Sequence, residues 1–334
     1  ADQDRFAFNG GQELVPICTV GSTPSGSDGL PCTGKLTNEK MPAWSAGSQY
    51  FRPRVEGSFL RFFWSKDHRT WRVQDKSGIT MELGVPLDGS SSSNGLELNP
   101  DNAQQIFRWH LVRQYDTYGD ASPSSPSVNP TPVNVVVYKY SQTAGQAYLT
   151  DIYDTTPASA PSNTTAFDAF AHHTRLRWDN RPDPTETYSS GWLIGQTQRL
   201  AGVDVTSKTF FGRDQARRQV RRYHLAYDSN FHTSYLTSVQ VEGRCDGDET
   251  ASSVPVEQNG ALGATSCERL PAMTFAYSHT RGFSTAGTST AAPLNGYEAF
   301  DARVQQMGGS PHRSVDDAYA DFFDTNGDAL PDLL

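Results

Sequence analysis

Oxygen-bearing side chains recur at alternate positions in the run from Asp324 to Leu334, a spacing typical of a calcium loop. They occupy positions 1, 3, 5 and 9 of the run, and Gly327 lies between the second and the third. Ca²⁺ takes about six to eight oxygens, which a tight Gly-containing loop presents to one point. The predicted ligands are four side chains and one main-chain carbonyl: Asp324, Asn326, Asp328, Asp332 and the carbonyl of Leu330. The alternative is an Asp/Asn/Gly turn without a metal.

Four cysteines form two sequence-local pairs, which favours two disulfides. Cys18 and Cys32 flank a Gly/Ser/Pro loop, and Cys245 and Cys267 flank a second polar loop. Neither pair has the two-residue spacing of a zinc knuckle. Disulfides predict an oxidising, extracellular compartment. Four cysteines nevertheless allow three connectivities, and free thiols in a cytosolic protein are the alternative.

The chain has no coherent catalytic motif, so neither catalytic nor cofactor-binding residues are predicted. It contains no Gly-x-Ser-x-Gly elbow, phosphate loop or dinucleotide fingerprint. His172 and His173 are adjacent, and neighbours on a strand point to opposite faces, which disfavours a shared metal. Asp316 and Asp317 are paired carboxylates of the kind that glycoside hydrolases use, but a turn or a solvated face is the favoured interpretation.

The charge balance disfavours nucleic acid as a partner. The net charge is −9, whereas phosphate binding depends on positive charge. The only basic cluster is predicted to form solvated strand faces or intramolecular pairs with Asp and Glu; it comprises Arg217, Arg218, Arg221 and Arg222. No run of about 18 apolar residues occurs, so no membrane span is predicted.

Short segments rich in aromatic and β-branched residues predict an all-β architecture. The turn at Lys76–Gly78 predicts a hairpin from Trp71 to Leu83, whereas Asn99–Phe107 is predicted as one short helix. The predicted strands are 59–64, 70–73, 79–83, 133–140, 148–153, 174–178, 193–200, 218–227, 235–242 and 273–277. In 218–227 alternation predicts two faces, with Tyr223, Leu225 and Tyr227 on one and Arg222, His224 and Ala226 on the other.

The Gly/Ser/Thr-rich stretch from Phe283 to Pro293 precedes a change in sequence character and predicts a linker. Two domains are therefore expected. The first is a β-sheet region over residues 1–282. The second, over residues 283–334, contains the linker and the calcium run.

Several blocks, taken in order, resemble SpvB-like proteins, the B components of insecticidal toxin complexes (Tc toxins) and their Rhs-type relatives. Asp120 departs from the family pattern, which has Asn there, and a Ser/Pro insertion follows it. The run at Asp324 resembles the calcium loop of FG-GAP or VCBS segments, which precedes a strand of a β-propeller blade. The matching blocks are 51–59, 71–78, 81–84, 109–111, Asp116 with Gly119, 138–140, 148–149, 181–183, 199–200, 223–227 and 234–236.

The resemblance implies a fold and a function. It implies an antiparallel, strand-rich Rhs-like shell segment that leads into the start of a β-propeller. It implies a secreted, non-enzymatic part of a longer toxin shell, which encloses or delivers a toxic C-terminal region. The implied partners are the remaining polypeptide of that shell and a translocation component. A secreted carbohydrate- or surface-binding β protein is the first alternative, and a glycoside hydrolase is the second.

Overall fold

The secondary structure is almost entirely β-strand in the computed structural model, which describes residues 5–19, 35–37, 41–88, 95–120, 131–156, 167–210, 216–228, 234–245, 254–277, 322–323 and 332–333. Two short 3₁₀ helices, Ala43–Ser45 and Phe167–Ala169, interrupt the strands. The strands are β1 Phe6–Phe8, β2 Gln12–Thr19, β3 Lys35–Thr37, β4 Gln49–Pro53, β5 Arg61–Trp64, β6 Thr70–Gln74, β7 Thr80–Gly84, β8 Leu96–Asn99, β9 Asn102–Trp109, β10 Leu111–Tyr115, β11 Gly119–Asp120, β12 Thr131–Pro132, β13 Val135–Thr143, β14 Gln146–Asp154, β15 His172–Thr187, β16 Ile194–Ser207, β17 Arg218–Asp228, β18 Tyr235–Glu242, β19 Met273–Thr274, β20 Phe322–Phe323 and β21 Asp332–Leu333.

Fifteen of these strands form one sheet. Its order is β1-β2-β4-β5-β6-β7-β10-β13-β14-β15-β16-β17-β18-β19, and β3 joins it beside β2. The β2–β3 pair is parallel, whereas neighbours such as β6–β7 and β15–β16 are antiparallel. The remaining described strands form two-stranded sheets, namely β8–β9, β11–β12 and β20–β21. The predicted all-β, antiparallel architecture is therefore confirmed.

The hairpin predicted from Trp71 to Leu83 is confirmed, and its turn shows why this sequence reverses there. Asp75 Oδ1 accepts hydrogen bonds from the main-chain nitrogens of Ser77 and Ile79, both at 2.9 Å. Gly78 has a φ of +91°, a conformation that costs glycine little. Trp71 then pairs with Leu83 and Val73 with Met81 across β6 and β7.

The largest apolar cluster is built on the first half of the sheet. Trp64 and Trp71 stack with ring centroids 5.5 Å apart. The indole nitrogens of Trp64 and Trp109 both donate to the carbonyl of His68, at 3.2 and 3.1 Å. These bonds let the rings be buried without leaving a polar group unpaired. The buried members are Leu14, Phe51, Phe62, Trp64, Trp71 and Val73.

The helix predicted over Asn99–Phe107 is wrong, because this segment forms the turn and second strand of the β8–β9 hairpin. The side chain of Asn99 accepts a hydrogen bond from Asp101 N at 2.9 Å, and that of Asn102 accepts one from Gln104 N at 3.1 Å. Such side-chain bonds favour turns over helices. The apolar residues that follow then bind β8 rather than a helical neighbour, and Ile106 pairs with Leu98.

Each of the ten predicted strand segments overlaps an observed strand. The differences lie at the ends: β15 and β16 extend to Thr187 and Ser207, well beyond the predicted 174–178 and 193–200. Long-range pairing between β15 and β16 over most of their length explains the extension, since local sequence carries no information about the partner strand. No helix in the described part of the chain is long and apolar enough to cross a membrane.

The chain divides into two compact units. The first contains residues 1–227 and 236–276, and the second contains residues 228–235 and 277–334. The boundary expected between residues 282 and 283 stays a prediction. In the second unit, Phe322 pairs with Leu333 and Phe323 with Asp332.

Candidate functional site

Residues 254–270, called the strap below, contact strands β15 to β18 with little regular pairing of their own. Gln219 N donates to Pro255 O at 2.9 Å, and Glu257 N donates to Arg217 O at 2.8 Å. Only isolated bridges, such as Arg218 with Val256, join the strap to named strands among the described residues. Because a regular ladder is missing there, buried side chains carry much of the attachment.

Glu257, on the strap, is the first of three buried carboxylates that bind this segment to the sheet. Arg217 donates to it through two nitrogens, Nε at 3.0 Å and Nη2 at 2.6 Å. His173 Nδ1 lies 3.0 Å from Glu257 Oε2, and Thr206 Oγ1 donates to the same oxygen at 2.5 Å. Both Arg217 and Glu257 are about 4% exposed. Two-pronged Arg–carboxylate bonds of this kind fix geometry as well as charge.

His173 bridges two carboxylates. Its Nε2 lies 3.0 Å from Asp151 Oδ1, and its ring stacks on Tyr153 with centroids 4.2 Å apart. Burial lowers the pKa of His173, but hydrogen bonds to Asp151 and Glu257 outweigh burial and leave the pKa above its ordinary value. Burial raises the pKa of Glu257, yet its bonds to His173 and Arg217 bring it below the ordinary range. The favoured state is an imidazolium between two carboxylates.

Asp204, in β16, is the second carboxylate, and Arg222 connects it to the strap. Arg222 donates to it through Nε at 2.7 Å and Nη2 at 3.0 Å. The remaining nitrogen of Arg222 donates to the carbonyl of Gly263 at 2.9 Å and to Thr265 Oγ1 at 2.7 Å, both on the strap. One guanidinium thus connects β16, β17 and the strap.

Glu242, at the end of β18, is the third carboxylate and is fully buried. It accepts hydrogen bonds from His224 Nε2 at 2.6 Å and from Cys267 N at 3.1 Å. Burial raises its pKa, but bonds from Thr265, His224 and the Cys267 nitrogen bring it down to about 2. A disulfide between Cys245 and Cys267 closes the same end of the strap.

The three carboxylates bind hydrogen-bond donors and cationic groups of this chain. Their geometry therefore suits a structural role, which is to hold the strap on the sheet. General acid–base catalysis needs a group within reach of substrate, whereas all three carboxylate side chains are at most 4% exposed. The described part of the chain contains no group of three or more His, Cys, Asp or Glu residues arranged to hold a metal ion.

The structure places several residues that the sequence singled out. His172 is half-exposed and bonds to Asp154 at 2.8 Å, while His173 is buried, so the adjacent histidines do point to opposite faces. Arg217 and Arg222 form intramolecular pairs with buried carboxylates, as predicted for the basic cluster.

The predicted calcium ligands are not tested by the structure. Asp332 lies in β21, but its side chain and the residues from Asp324 to Leu330 lie outside the described residues. The same holds for the side chain of Cys18 and for Cys32.

The carboxylates themselves were missed by sequence reasoning. Asp204 interrupts an apolar stretch between Val203 and Val205, and Glu242 follows Val241 at a strand end. An isolated acidic residue within such a strand is a usable signal, because buried charges require partners. The partner on the strap is distant in sequence, so the pairing itself was not predictable.

Comparison with known proteins shows a shared fold. No protein-family model matches this chain, and no curated protein matches it. The N-terminal domain of the effector protein SpvB from Salmonella typhimurium strain LT2 has a similar structure, with a TM-score of 0.51 and 16% identity over 73% of this chain and 82% of that domain.

Two crystal structures of TcdB2–TccC3 are also similar. The complex with Cdc42 gives a TM-score of 0.54 and 17% identity over 85% of this chain. The form without its hypervariable C-terminal region gives 0.54 and 17% over 84%. This chain spans 13% of each of those proteins. At these identities the likeness concerns the fold, which is that of SpvB's N-terminal domain and of part of TcdB2–TccC3.

Proposed function

We propose that this chain is a non-enzymatic wall segment of a secreted toxin shell of the SpvB and Tc type. In this role it helps to enclose or deliver a toxic C-terminal region, and the shell docks to a translocation component. Its immediate partner is the remaining polypeptide of the same shell. The Cys245–Cys267 disulfide supports an extracellular location, since disulfides persist in oxidising compartments.

The observation that carries the proposal is the fifteen-stranded sheet. Open twisted sheets rarely exceed about ten strands without curling or splitting. Apart from this sheet, the sheets of the described residues have two strands each. One extended sheet with a strap over part of it suits a wall, and the fold is shared with SpvB and TcdB2–TccC3 structures.

The end of the sheet at β19 supplies a place where a wall would continue. β19 pairs with β18 and has no second strand partner among the described residues. Leu270, Met273 and Phe275 are exposed along this edge, and the segment 270–277 contains no charged residue. Natural edge strands are usually short or carry Pro or charges that prevent pairing. β19 is short and follows Pro271, but its exposed apolar side chains and the lack of charge suit this edge to accept a strand.

Expressed alone, residues 1–334 are therefore expected to self-associate, and charges on the edge should suppress this association. Light scattering coupled to size-exclusion chromatography would compare the natural chain with Met273→Lys/Phe275→Lys. The expected result is a shift from oligomers toward monomer. Val55→Lys is the matched control, because Val55 is exposed on the turn between β4 and β5, and it should leave association unchanged.

A monodisperse monomer of the natural chain would overturn the wall geometry. A monomer that also hydrolyses glycosides would overturn the non-enzymatic role as well.

Calcium binding is a further part of the proposal and rests on the oxygen spacing of the Asp324 run. Binding to the folded form alone adds RT ln(1 + [L]/Kd), about 2.7 kcal/mol at a hundredfold excess over Kd. Chelation should therefore lower the melting temperature, and added Ca²⁺ should restore it. Asp328→Ala should abolish this response, whereas Asp316→Ala, outside the run, should retain it. A melting temperature that does not change on chelation would contradict the proposed calcium site.

A further inference from the structure

Three hairpin segments of the first unit meet at what we call the tip surface: residues 102–107 of β9, 140–147 around the β13–β14 turn, and 187–195 around the β15–β16 turn. Phe107 and Trp192 make an edge-to-face contact with ring centroids 6.2 Å apart. Gly195 N donates to Ala144 O at 2.8 Å. These contacts hold segments that are distant in sequence in one surface.

Glu97, fully buried in β8, fixes the β8–β9 hairpin in this position. It accepts a hydrogen bond from Ala147 N at 3.1 Å and bonds to His110 Nε2 at 3.0 Å. Arg108 Nη1 donates to its other oxygen at 2.9 Å. The hairpin is thus bound to β14 by a buried, charge-assisted contact, which gives the tip surface a defined geometry.

The tip surface is uncharged. Its three segments contain no Asp, Glu, Lys, Arg or His, whereas 19% of the chain's residues are charged. Asp101 and Arg108 border the β9 segment. Amides and hydroxyls replace the charges, and the exposed ones are Asn102, Gln104, Gln105, Gln142, Thr187 and Ser189. Amides and hydroxyls both donate and accept hydrogen bonds, as the hydroxyl groups of a sugar do.

Aromatic and aliphatic groups are exposed in the same place. The Tyr188 side chain is 66% exposed and Leu193 is 43% exposed. Trp192 Nε1 is shielded from solvent and has no hydrogen-bond partner, which is unfavourable for a buried donor.

The turn that carries these groups is well braced. Gly191 N donates to Tyr188 O at 2.9 Å, and Ser190 Oγ donates to Trp192 O at 2.6 Å. Gly191 has a φ of +87°, which favours glycine. The backbone that carries Tyr188 is thus fixed before binding, which reduces the conformational entropy lost on recognition.

We infer that the tip surface binds a neutral oligosaccharide. The C–H-rich face of a pyranose ring packs on Tyr188, while neighbouring amides and hydroxyls bond to the sugar hydroxyls. Aromatic side chains suit this task because they combine a large apolar face with a polar group. Arg108 lies over the Phe107 ring but is paired with the buried Glu97, so the three segments offer no unpaired positive charge to an anionic ligand. This activity is separate from the wall role and uses none of the β19 edge residues.

The test uses the 334-residue chain on an array of immobilised neutral and sialylated oligosaccharides, followed by calorimetry with the strongest neutral ligand. Binding of neutral glycans is expected, with at least tenfold weaker affinity for Tyr188→Ala. Tyr118→Ala is the matched control, because Tyr118 is 67% exposed but lies outside the tip surface, and its affinity should be unchanged.

Melting temperatures equal to that of the natural chain would show that both variants are folded. Ligand binding should also change the tryptophan fluorescence of the chain, and this change should be smaller in Trp192→Phe. The inference is overturned by an array without neutral binders, by a preference for sialylated glycans, or by equal loss of affinity in the two tyrosine variants.

Discussion

Glu257→Gln is expected to lower the free energy of unfolding by about 3–5 kcal/mol. That is the usual range when one partner of a buried ion pair is removed and the other is left uncompensated. Here Arg217 is 4% exposed and donates two hydrogen bonds to the lost carboxylate. His173, 1% exposed, loses one of its two carboxylate neighbours at the same time. The strap would then remain joined to β15 through Arg175, whose Nη1 donates to the carbonyl of Gly260 at 2.6 Å.

Urea unfolding of both proteins, with a shared slope, measures the difference. Asp168→Asn is the matched control, because the Asp168 carboxylate lies 3.6 Å from Arg217 but is fully exposed, and exposed pairs contribute little. Its unfolding midpoint should equal that of the natural chain. If Glu257→Gln unfolded at that same midpoint, the strap would not depend on this carboxylate.

The same contacts predict a pH dependence for the natural chain. Folding raises the pKa of His173 above its ordinary value of 6.5, so the folded state holds this proton more tightly than the unfolded state does. The resulting stability is fully present below pH 6.5 and is lost as the pH rises through the raised pKa. Asp151 and Glu257 have lowered pKa values, so their contribution is lost on acidification instead. Glu257→Gln should weaken both trends.

Removal of the Cys245–Cys267 disulfide is expected to lower the free energy of unfolding by about 3 kcal/mol. The bond joins residues 22 apart. In the chain-entropy model, closing a loop of this size lowers the conformational entropy of the unfolded chain enough to stabilise the folded state by about 3 kcal/mol. The effect should reach the strap, because Cys267 N also donates to Glu242. Without the bond, the C-terminal end of the strap depends on Glu242, on Arg222 and on main-chain bonds such as Leu270 N to Val241 O at 2.9 Å.

Urea unfolding of Cys245→Ser/Cys267→Ser would measure this loss. The reduced natural chain should be at least as destabilised as the variant, because reduction would also open the predicted Cys18–Cys32 bond. Peptide mapping without reduction would establish all connectivities, including the predicted Cys18–Cys32 bond. Four thiols that react with an alkylating agent in the native protein would refute both disulfides.

The positions of the strands can be predicted from the sequence because turn residues and the alternation of apolar residues are local signals. At the β6–β7 hairpin, Asp75 and Gly78 specify the turn, and alternating apolar residues specify the packed face. The helix predicted at Asn99–Phe107 failed for the complementary reason. There the turn-forming side chains of Asn99 and Asn102 oppose a helix, and pairing with β8, which local pattern does not reveal, completes a strand.

The sequence by itself determined the all-β class, the placement of ten of the 21 described strands and the acidic balance, and it predicted solvated faces or intramolecular pairs for the arginine cluster. Only the tertiary structure decided the order of fifteen strands in one sheet, the course of the strap and the partners of Glu257, Asp204 and Glu242. The physical reason is sequence separation. Glu257 meets His173 across 84 residues, and such a contact is selected by the packing of the whole chain rather than by the residues next to it.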